Sequence, residues 1–180
     1  MRDPISKEIY SIGVTPMGKM SIYRCDANCN LIKQRQLSLN GVLLVHSCAI
    51  AGPYLVFLIS PVTVDTPSIL LNKKAFADAA QWAGNRGTRI LTVDRETLDT
   101  VSDSTTDAWF QWHYGNGCVE KDGSVKLNFA KFDDFMHINE VLREVPTGRV
   151  KTKAYGRLCQ LRLNPKTGQI LSHNCVLDRD

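Results

Sequence analysis

Residues 89–101 read RILTVDRETLDTV, a pattern typical of a β-hairpin. Two runs rich in strand-forming residues, Arg89 to Val93 and Leu98 to Val101, flank the polar turn Asp94-Arg95-Glu96-Thr97. Similar hairpins are centred on Asp26 and on Asn164. The three turns are 68 and then 70 residues apart, so one unit recurs along the chain.

Further apolar strands follow the first two hairpins. A repeated four-stranded unit predicts blades of a β-propeller, since a β-sandwich has many short strands but no repeat this long. The strands predicted outside residues 89–101 are Met20 to Cys25, Leu31 to Leu39, Val42 to Ile50, Tyr54 to Ile59, Ala108 to Tyr114, Cys118 to Glu120, Ser124 to Phe129, Leu158 to Leu163 and Gln169 to Val176. Each unit is expected to open with its hairpin and to continue with the apolar pair.

Two helices are predicted between the strands. Lys73 to Ala83 is rich in alanine, with Asn72 as a candidate N-cap and Gly84 as the stop. Asp134 to Val145 has one apolar face and ends before Pro146. The sequence therefore predicts an all-β chain, part of a propeller of about two and a half blades, with two short helical insertions.

Composition limits the class of protein. The chain has 180 residues, 43% of them hydrophobic, and a net charge of +4 without a basic run, so it has no nucleic-acid surface of the usual kind. Residues 42–62 are apolar and long enough to cross a bilayer, but Gly52-Pro53 divides them. Two buried strands are therefore preferred to a spanning helix. The six cysteines lack zinc-site spacing and no signal peptide is evident, so free thiols in a cytoplasmic protein are expected.

Two histidines occupy matching places in successive units. His46 lies 20 residues after Asp26, and His113 lies 19 residues after Asp94. Equivalent positions of propeller blades converge on one axis, and convergent imidazoles suit a transition metal. His46 and His113 are therefore the candidate metal ligands. The other two histidines are not expected to bind a metal: His137 is predicted to be a solvated helix residue and His173 a structural one.

The residues around these histidines resemble a known family. His46-Ser47-Cys48-Ala49-Ile50-Ala51 leads into the strand at Tyr54, and Trp112-His113-Tyr114-Gly115-Asn116-Gly117 forms the second match. Both are similar to ligand motifs of the carotenoid cleavage oxygenases, which include apocarotenoid oxygenases, lignostilbene dioxygenases and the retinal pigment epithelial membrane protein. The resemblance runs from about Gly18 to Asp178. Ser47 and Ala51 depart from it, because the family usually has Asp and Thr there.

The resemblance implies a seven-bladed propeller with one iron(II) held by four histidines, of which His46 and His113 would be two. It implies an enzyme that uses O2 to cleave a conjugated carbon–carbon double bond of a carotenoid, apocarotenoid or stilbene-like substrate into carbonyl products. Trp109, Phe110 and Trp112 would line an apolar substrate tunnel, with ordinary core packing as the alternative. Peripheral contact with a membrane for substrate uptake would suit such a substrate.

The resemblance also limits what this chain is expected to do alone. The other two ligand histidines have no counterpart in it, and a third unit would place its equivalent residue at position 183 or 184. Residues 1–180 are therefore expected to be a single partial propeller domain, truncated at both ends and inactive by itself. The alternative is a non-catalytic or broken-frame propeller fragment with no activity.

Overall fold

The computed structural model describes residues 1–41 and 44–177, and strands dominate this part of the chain. The strands are β1 (Ile9–Val14), β2 (Lys19–Cys25), β3 (Leu31–Ser38), β4 (Ala49–Ala51), β5 (Tyr54–Ile59), β6 (Val62–Val64), β7 (Ala80–Trp82), β8 (Thr88–Asp94), β9 (Thr100–Thr106), β10 (Tyr114–Val119), β11 (Val125–Lys131), β12 (Arg157–Leu163) and β13 (Ile170–Leu177). The helices are α1 (Thr66–Leu70), α2 (Phe76–Ala79) and α3 (Met136–Glu144).

The strands form three antiparallel sheets that follow one another along the chain. The first has the order β1-β2-β3, the second β4-β5-β8-β9 and the third β10-β11-β12-β13. A two-stranded ribbon of β6 and β7, with α1 and α2 between them, interrupts the second sheet. Helix α3 interrupts the third sheet between β11 and β12. The predicted all-β architecture with two helical insertions is confirmed.

The three hairpins are built alike. In each turn the side-chain oxygen of the predicted key residue, Asp26, Asp94 or Asn164, accepts a hydrogen bond from the backbone N–H two residues later, at 2.8 to 2.9 Å. The backbone N–H of the same residue bonds to the carbonyl that closes the turn. Asp and Asn favour such turns because their short side chains substitute for a backbone acceptor. The repeat seen in the sequence is therefore a structural repeat.

The grouping of strands differs from the prediction. The apolar strands β4 and β5 pair with the hairpin that follows them, β8 and β9, and not with the hairpin that precedes them. In the second sheet the apolar strands β4 and β5 therefore come first and the hairpin of β8 and β9 comes last, and in the third sheet the hairpin of β12 and β13 likewise comes last. The spacing of the hairpins is the same whether β4 and β5 join the preceding or the following hairpin, so the spacing alone could not predict their partner. The first strand of the first sheet, β1, was not predicted.

Several predicted elements are wrong in extent. The strand predicted at Leu98 to Val101 is observed as β9, and the one predicted at Cys118 to Glu120 is observed as β10. Residues 108–113 are not a strand, and Phe110 makes only an isolated bridge to Phe132. The predicted strand from Val42 is regular only at β4; residues 42–43 lie outside the described part. The predicted helix from Lys73 is confined to α2, because residues 80–82 instead pair with β6. By contrast, α3 lies within its predicted span.

The core lies between the faces of successive sheets. Strand β5 has both faces buried: Leu55, Phe57 and Ile59 pack toward the first sheet, while Val56 and Leu58 pack toward the third. A strand enclosed on both sides loses the usual polar alternation, which explains the continuous apolar run at residues 54–59. No helix among the described residues has the length and hydropathy needed to cross a bilayer.

One cysteine prediction is corrected. Cys159 and Cys175 face each other across β12 and β13 and are joined in a disulfide. The two residues are 16 apart in sequence, so their approach depends on the hairpin register and not on a recognisable cysteine spacing. The other cysteines, Cys25, Cys29, Cys48 and Cys118, are not disulfide-bonded in the structure.

Candidate metal site

The structure places the two candidate ligands side by side. His46 precedes β4 by three residues and His113 immediately precedes β10, so each stands before the first strand of a four-stranded sheet. Strands β4 and β10 are neighbours, as a Cβ added at Gly117 would lie 2.7 Å from the Ile50 carbonyl oxygen. The centroids of the two imidazole rings are 4.9 Å apart. Sheet repetition therefore brings residues 67 positions apart to one point.

One nitrogen of His46 already has a partner. Its Nδ1 lies 3.2 Å from the carbonyl oxygen of Trp112. A carbonyl only accepts hydrogen bonds, so Nδ1 donates and the lone pair of the neutral ring is on Nε2. Metal-bound histidines characteristically donate their other ring N–H in this way. Nε2 of His46 is thus the nitrogen available to a metal, and the Trp112 carbonyl is its supporting group.

Buried polar side chains fix the segment that carries His113. Thr88 Oγ1 accepts from the Trp109 N–H at 2.9 Å and donates to the Trp109 carbonyl at 3.1 Å. Gln111 and Tyr114 both bond to the backbone of Leu58 on β5. Burial raises the pKa of the Tyr114 hydroxyl, so it is a neutral group. Sequence reasoning missed Gln111 and Tyr114; a glutamine enclosed by aromatic residues was the one available signal.

The three candidate tunnel residues lie in different surroundings. Trp109 is 1% exposed and packs on Phe129 in the core between the second and third sheets. Phe110 is equally buried in a separate cluster with Phe135. Trp112 is half-buried, and its ring centroid lies 5.0 Å from that of His46. Packing accounts for the burial of Trp109 and Phe110, whereas Trp112 borders the histidine pair. Their tunnel role stays a prediction.

The other histidines lie apart from this pair. The His137 side chain on α3 is 65% exposed and its Nδ1 contacts Asp134 at 2.9 Å. His173 on β13 packs against the rings of Trp109 and Phe129 at 5.0 and 5.9 Å. Partial burial among these rings lowers the pKa of His173.

The donor set fits two positions of a histidine-ligated metal. Both imidazoles are exposed and adjacent, and His46 presents a free Nε2. Cys48 does not extend the set, because burial raises the pKa of its thiol to about 12 and keeps it protonated. Within the described ranges, 1–41 and 44–177, no cluster of three or more His, Cys, Asp or Glu side chains is arranged to hold a metal ion. The role of His46 and His113 as metal ligands stays a prediction.

The family model for the retinal pigment epithelial membrane protein, RPE65, matches residues 1–179. The chain belongs to this family, which its two histidine motifs resemble, and it is a carotenoid-oxygenase-type chain. A comparison with curated protein sequences finds no match.

Solved structures share the fold. A crystal structure of an ACO/RPE65 chimera matches with a TM-score of 0.70 and 18% identity, over 93% of this chain and 34% of that one. Cobalt-substituted Synechocystis ACO matches with a TM-score of 0.71 and 18% identity, over the same shares. A point variant of Synechocystis apocarotenoid oxygenase gives 0.71 and 18%, over 96% and 35%. The chain thus spans about a third of each structure, and its three sheets are part of a β-propeller.

Proposed function

We propose that this chain is the part of an iron(II)-dependent dioxygenase that contributes His46 and His113 as two of the metal ligands. The observation that carries the proposal is the pair of adjacent imidazoles, with ring centroids 4.9 Å apart, at equivalent points of successive sheets. Neutral imidazole is a suitable ligand for iron(II). The substrate would be a carotenoid, an apocarotenoid or a stilbene-like compound, cleaved at a conjugated double bond by O2 into two carbonyl products.

The chain's own residues would have limited tasks in that reaction. Iron, when bound, would supply the activation of O2, which no side chain here provides. His46 and His113 would hold the metal through neutral ring nitrogens, and the Trp112 carbonyl would keep His46 oriented. The half-buried Trp112 ring beside the pair would offer an apolar surface to a conjugated substrate.

Metal binding by the 180-residue chain tests the ligand assignment. Under anaerobic conditions, titration with Fe(II) or Co(II) should reveal one site, weakened at least tenfold in His46→Ala and in His113→Ala. His137→Ala, which removes an exposed imidazole from α3, is the matched control and should bind like the wild type. Equal binding by all four proteins would contradict the assignment.

The second candidate is a non-catalytic propeller segment. It is favoured by the lack of a third ligand near His46 and His113 in the described part of the chain. Two imidazoles hold iron poorly, so the isolated chain should show no cleavage of an apocarotenoid under O2. Stoichiometric iron together with turnover to aldehyde products by the 180-residue chain would overturn this second candidate.

A peripheral membrane contact at the cytoplasmic side is part of the proposal. Helices α2 and α3 touch, since Asn139 Nδ2 and Arg143 Nη2 both donate to the Ala77 carbonyl at 2.8 and 2.7 Å. The cap formed by residues 66–79 and 136–155 carries six Lys and Arg residues against three carboxylates. Large apolar side chains are exposed among them, namely Leu70, Leu71, Phe76, Met136, Leu142, Val145, Val150 and Tyr155. Exposed apolar groups among basic ones suit an anionic lipid surface.

Vesicle sedimentation tests this cap. The chain should bind phosphatidylserine–phosphatidylcholine vesicles more strongly than phosphatidylcholine vesicles, and less strongly as salt increases. The double change Leu70→Ser with Leu71→Ser should reduce binding. Leu31→Ser with Ile32→Ser changes two exposed apolar residues on β3 and is the control. Equal losses in both variants, or no binding to either vesicle, would contradict the membrane contact.

A further inference from the structure

Leu58 on β5 is held by two side chains from the segment that carries His113. Its backbone N–H donates to the Tyr114 hydroxyl at 2.6 Å. Its carbonyl accepts a hydrogen bond from Gln111 Nε2. The oxygen of the same Gln111 amide accepts from the Ser60 hydroxyl at 3.1 Å. We call these contacts of Gln111 and Tyr114 to Leu58 and Ser60 the Leu58 clamp.

The clamp occupies a place where strand pairing has ended. Strand β4 pairs with β5 only as far as Ala49 opposite Val56. Continuing that register would place Ser47 opposite Leu58, but residues 44–48 are not a strand. The peptide groups of Leu58 at this edge therefore lack strand partners, and a buried peptide group needs one. Gln111, in the segment before β10, and Tyr114, the first residue of β10, supply the missing partners.

The clamp links both histidines to one strand. Gln111 and Tyr114 bracket the dipeptide Trp112-His113, so fixing their side chains on Leu58 fixes the backbone between them. The Trp112 carbonyl in that dipeptide is the acceptor for Nδ1 of His46. His46 itself lies three residues before β4, which pairs with the same β5 strand. The hydrogen bonds to Leu58 therefore flank, in sequence, the Trp112 carbonyl that contacts the His46 ring.

We propose that Gln111 and Tyr114 are positioning residues: by clamping Leu58 they hold the Trp112 carbonyl against His46, which fixes that ring as the Nδ1–H tautomer and directs its Nε2 lone pair toward the site shared with His113. The use of that lone pair by a metal rests on the proposed function. The tautomer does not, because it belongs to the metal-free chain.

Long-range proton–nitrogen NMR spectra of the metal-free 180-residue chain, at a pH where the imidazoles are neutral, test the proposal. Each ring nitrogen has a distinct shift when it carries the proton, so the tautomer is read directly. Wild-type His46 should show the Nδ1–H form. Tyr114→Phe, which removes one hydroxyl, and Gln111→Met should each shift His46 toward the Nε2–H form that free histidine favours.

The controls separate positioning from loss of stability. Ser102→Ala removes another buried hydrogen bond, from Ser102 Oγ on β9 to the Pro165 carbonyl in the turn between β12 and β13. It should lower the melting temperature without changing the His46 tautomer. If Gln111→Met does not fold, Ser60→Ala is the milder variant, since it removes only the hydroxyl that orients the Gln111 amide.

The outcomes distinguish this proposal from the proposed function. An Nδ1–H tautomer that is lost in the clamp variants supports the clamp, even if no metal binds at His46 and His113, which would count against the proposed function alone. If metal does bind, the clamp variants should weaken it about tenfold, as loss of a ligand's supporting group does. An Nε2–H form in the wild type, or an unchanged tautomer in folded clamp variants, would overturn the proposal.

Discussion

Thr88 shows how a single side chain supports the segment before His113. Its buried hydroxyl bonds to both the N–H and the carbonyl of Trp109, which has no regular strand partner. Thr88→Val keeps the shape but leaves both peptide groups unpaired. We expect a loss of about 1–3 kcal/mol in the free energy of unfolding, measured by urea denaturation. The exposed Thr105→Val on β9 is the control and should change it by less than about 0.5 kcal/mol.

For individual residues, the sequence predicted that His46 and His113 lie close together, but not which groups hydrogen-bond to them or to the segment that carries them. The placement of His46 and His113 followed from the repeat, since equivalent positions of a repeat occupy equivalent positions in space. The role of Gln111 was not predictable, because its partner is the backbone of Leu58, 53 residues away. A peptide group has no signature in the sequence, and whether the Leu58 peptide groups lack a strand partner depends on where β4 begins, at Ala49.

At the scale of elements, the third hairpin docks on its neighbour through a glycine. Gly168 has φ +72°, and a Cβ added there would lie 2.8 Å from Ser104 Cβ on β9. Gly123 also has a positive φ, +83°, but has nothing within 4 Å. Gly123→Ala should therefore cost only the backbone strain, about 1–2 kcal/mol. Gly168→Ala should lower the melting temperature clearly more than Gly123→Ala does. Equal decreases in the two variants would contradict the close contact between Gly168 and Ser104.

The disulfide in the third sheet predicts how many cysteines react with a thiol reagent. Cys159 and Cys175 are bonded across β12 and β13, and the four other cysteines are free. Chain unfolded without reductant should react with a thiol reagent at four positions, and at all six after reduction. Cys175→Ser should expose Cys159 and leave five reactive thiols both with and without reductant. Six thiols in the unreduced wild type would contradict the disulfide.

The elements were predicted where local signals were sufficient. The three hairpins and α3 were expected from turn residues and from helical periodicity, both of which operate within a few residues. Residues 80–82 were assigned to a helix because alanine favours helices, yet they form β7. Pairing with β6 outweighed the local preference there, as tertiary contacts commonly do.

At the scale of the whole molecule, one carboxylate joins the N-terminal segment to the second sheet. Asp3 is buried and bonds to Arg95, which also donates to the Gly52 carbonyl at 2.9 Å. The backbone N–H of Ile5, then Ser6 and Arg95, lower the pKa of Asp3 below its ordinary 3.8. A carboxyl whose pKa is lower in the folded state stabilises the fold above its unfolded pKa. That contribution is lost as the pH falls from about 3.8 through the folded value.

Comparison with Asp3→Asn tests this effect. At neutral pH the variant should have a lower free energy of unfolding than the wild type. The difference should narrow below about pH 4, because the wild-type carboxylate then becomes protonated. Asp107→Asn, at an exposed position, is the control and should follow the wild type at every pH. A difference that does not change with pH would show that Asp3 acts through shape alone.

The turns, most strands, the repeat of about 70 residues and the closeness of the two histidines were predictable from the sequence, because they depend on neighbouring residues or on periodicity. Long-range packing was needed to show which hairpin joins β4 and β5, where β4 begins, which cysteines meet and which groups hold His46. Those features depend on contacts between residues far apart in the chain. Several pairings satisfy the same local pattern, and burial of β5 between two sheets selects one of them.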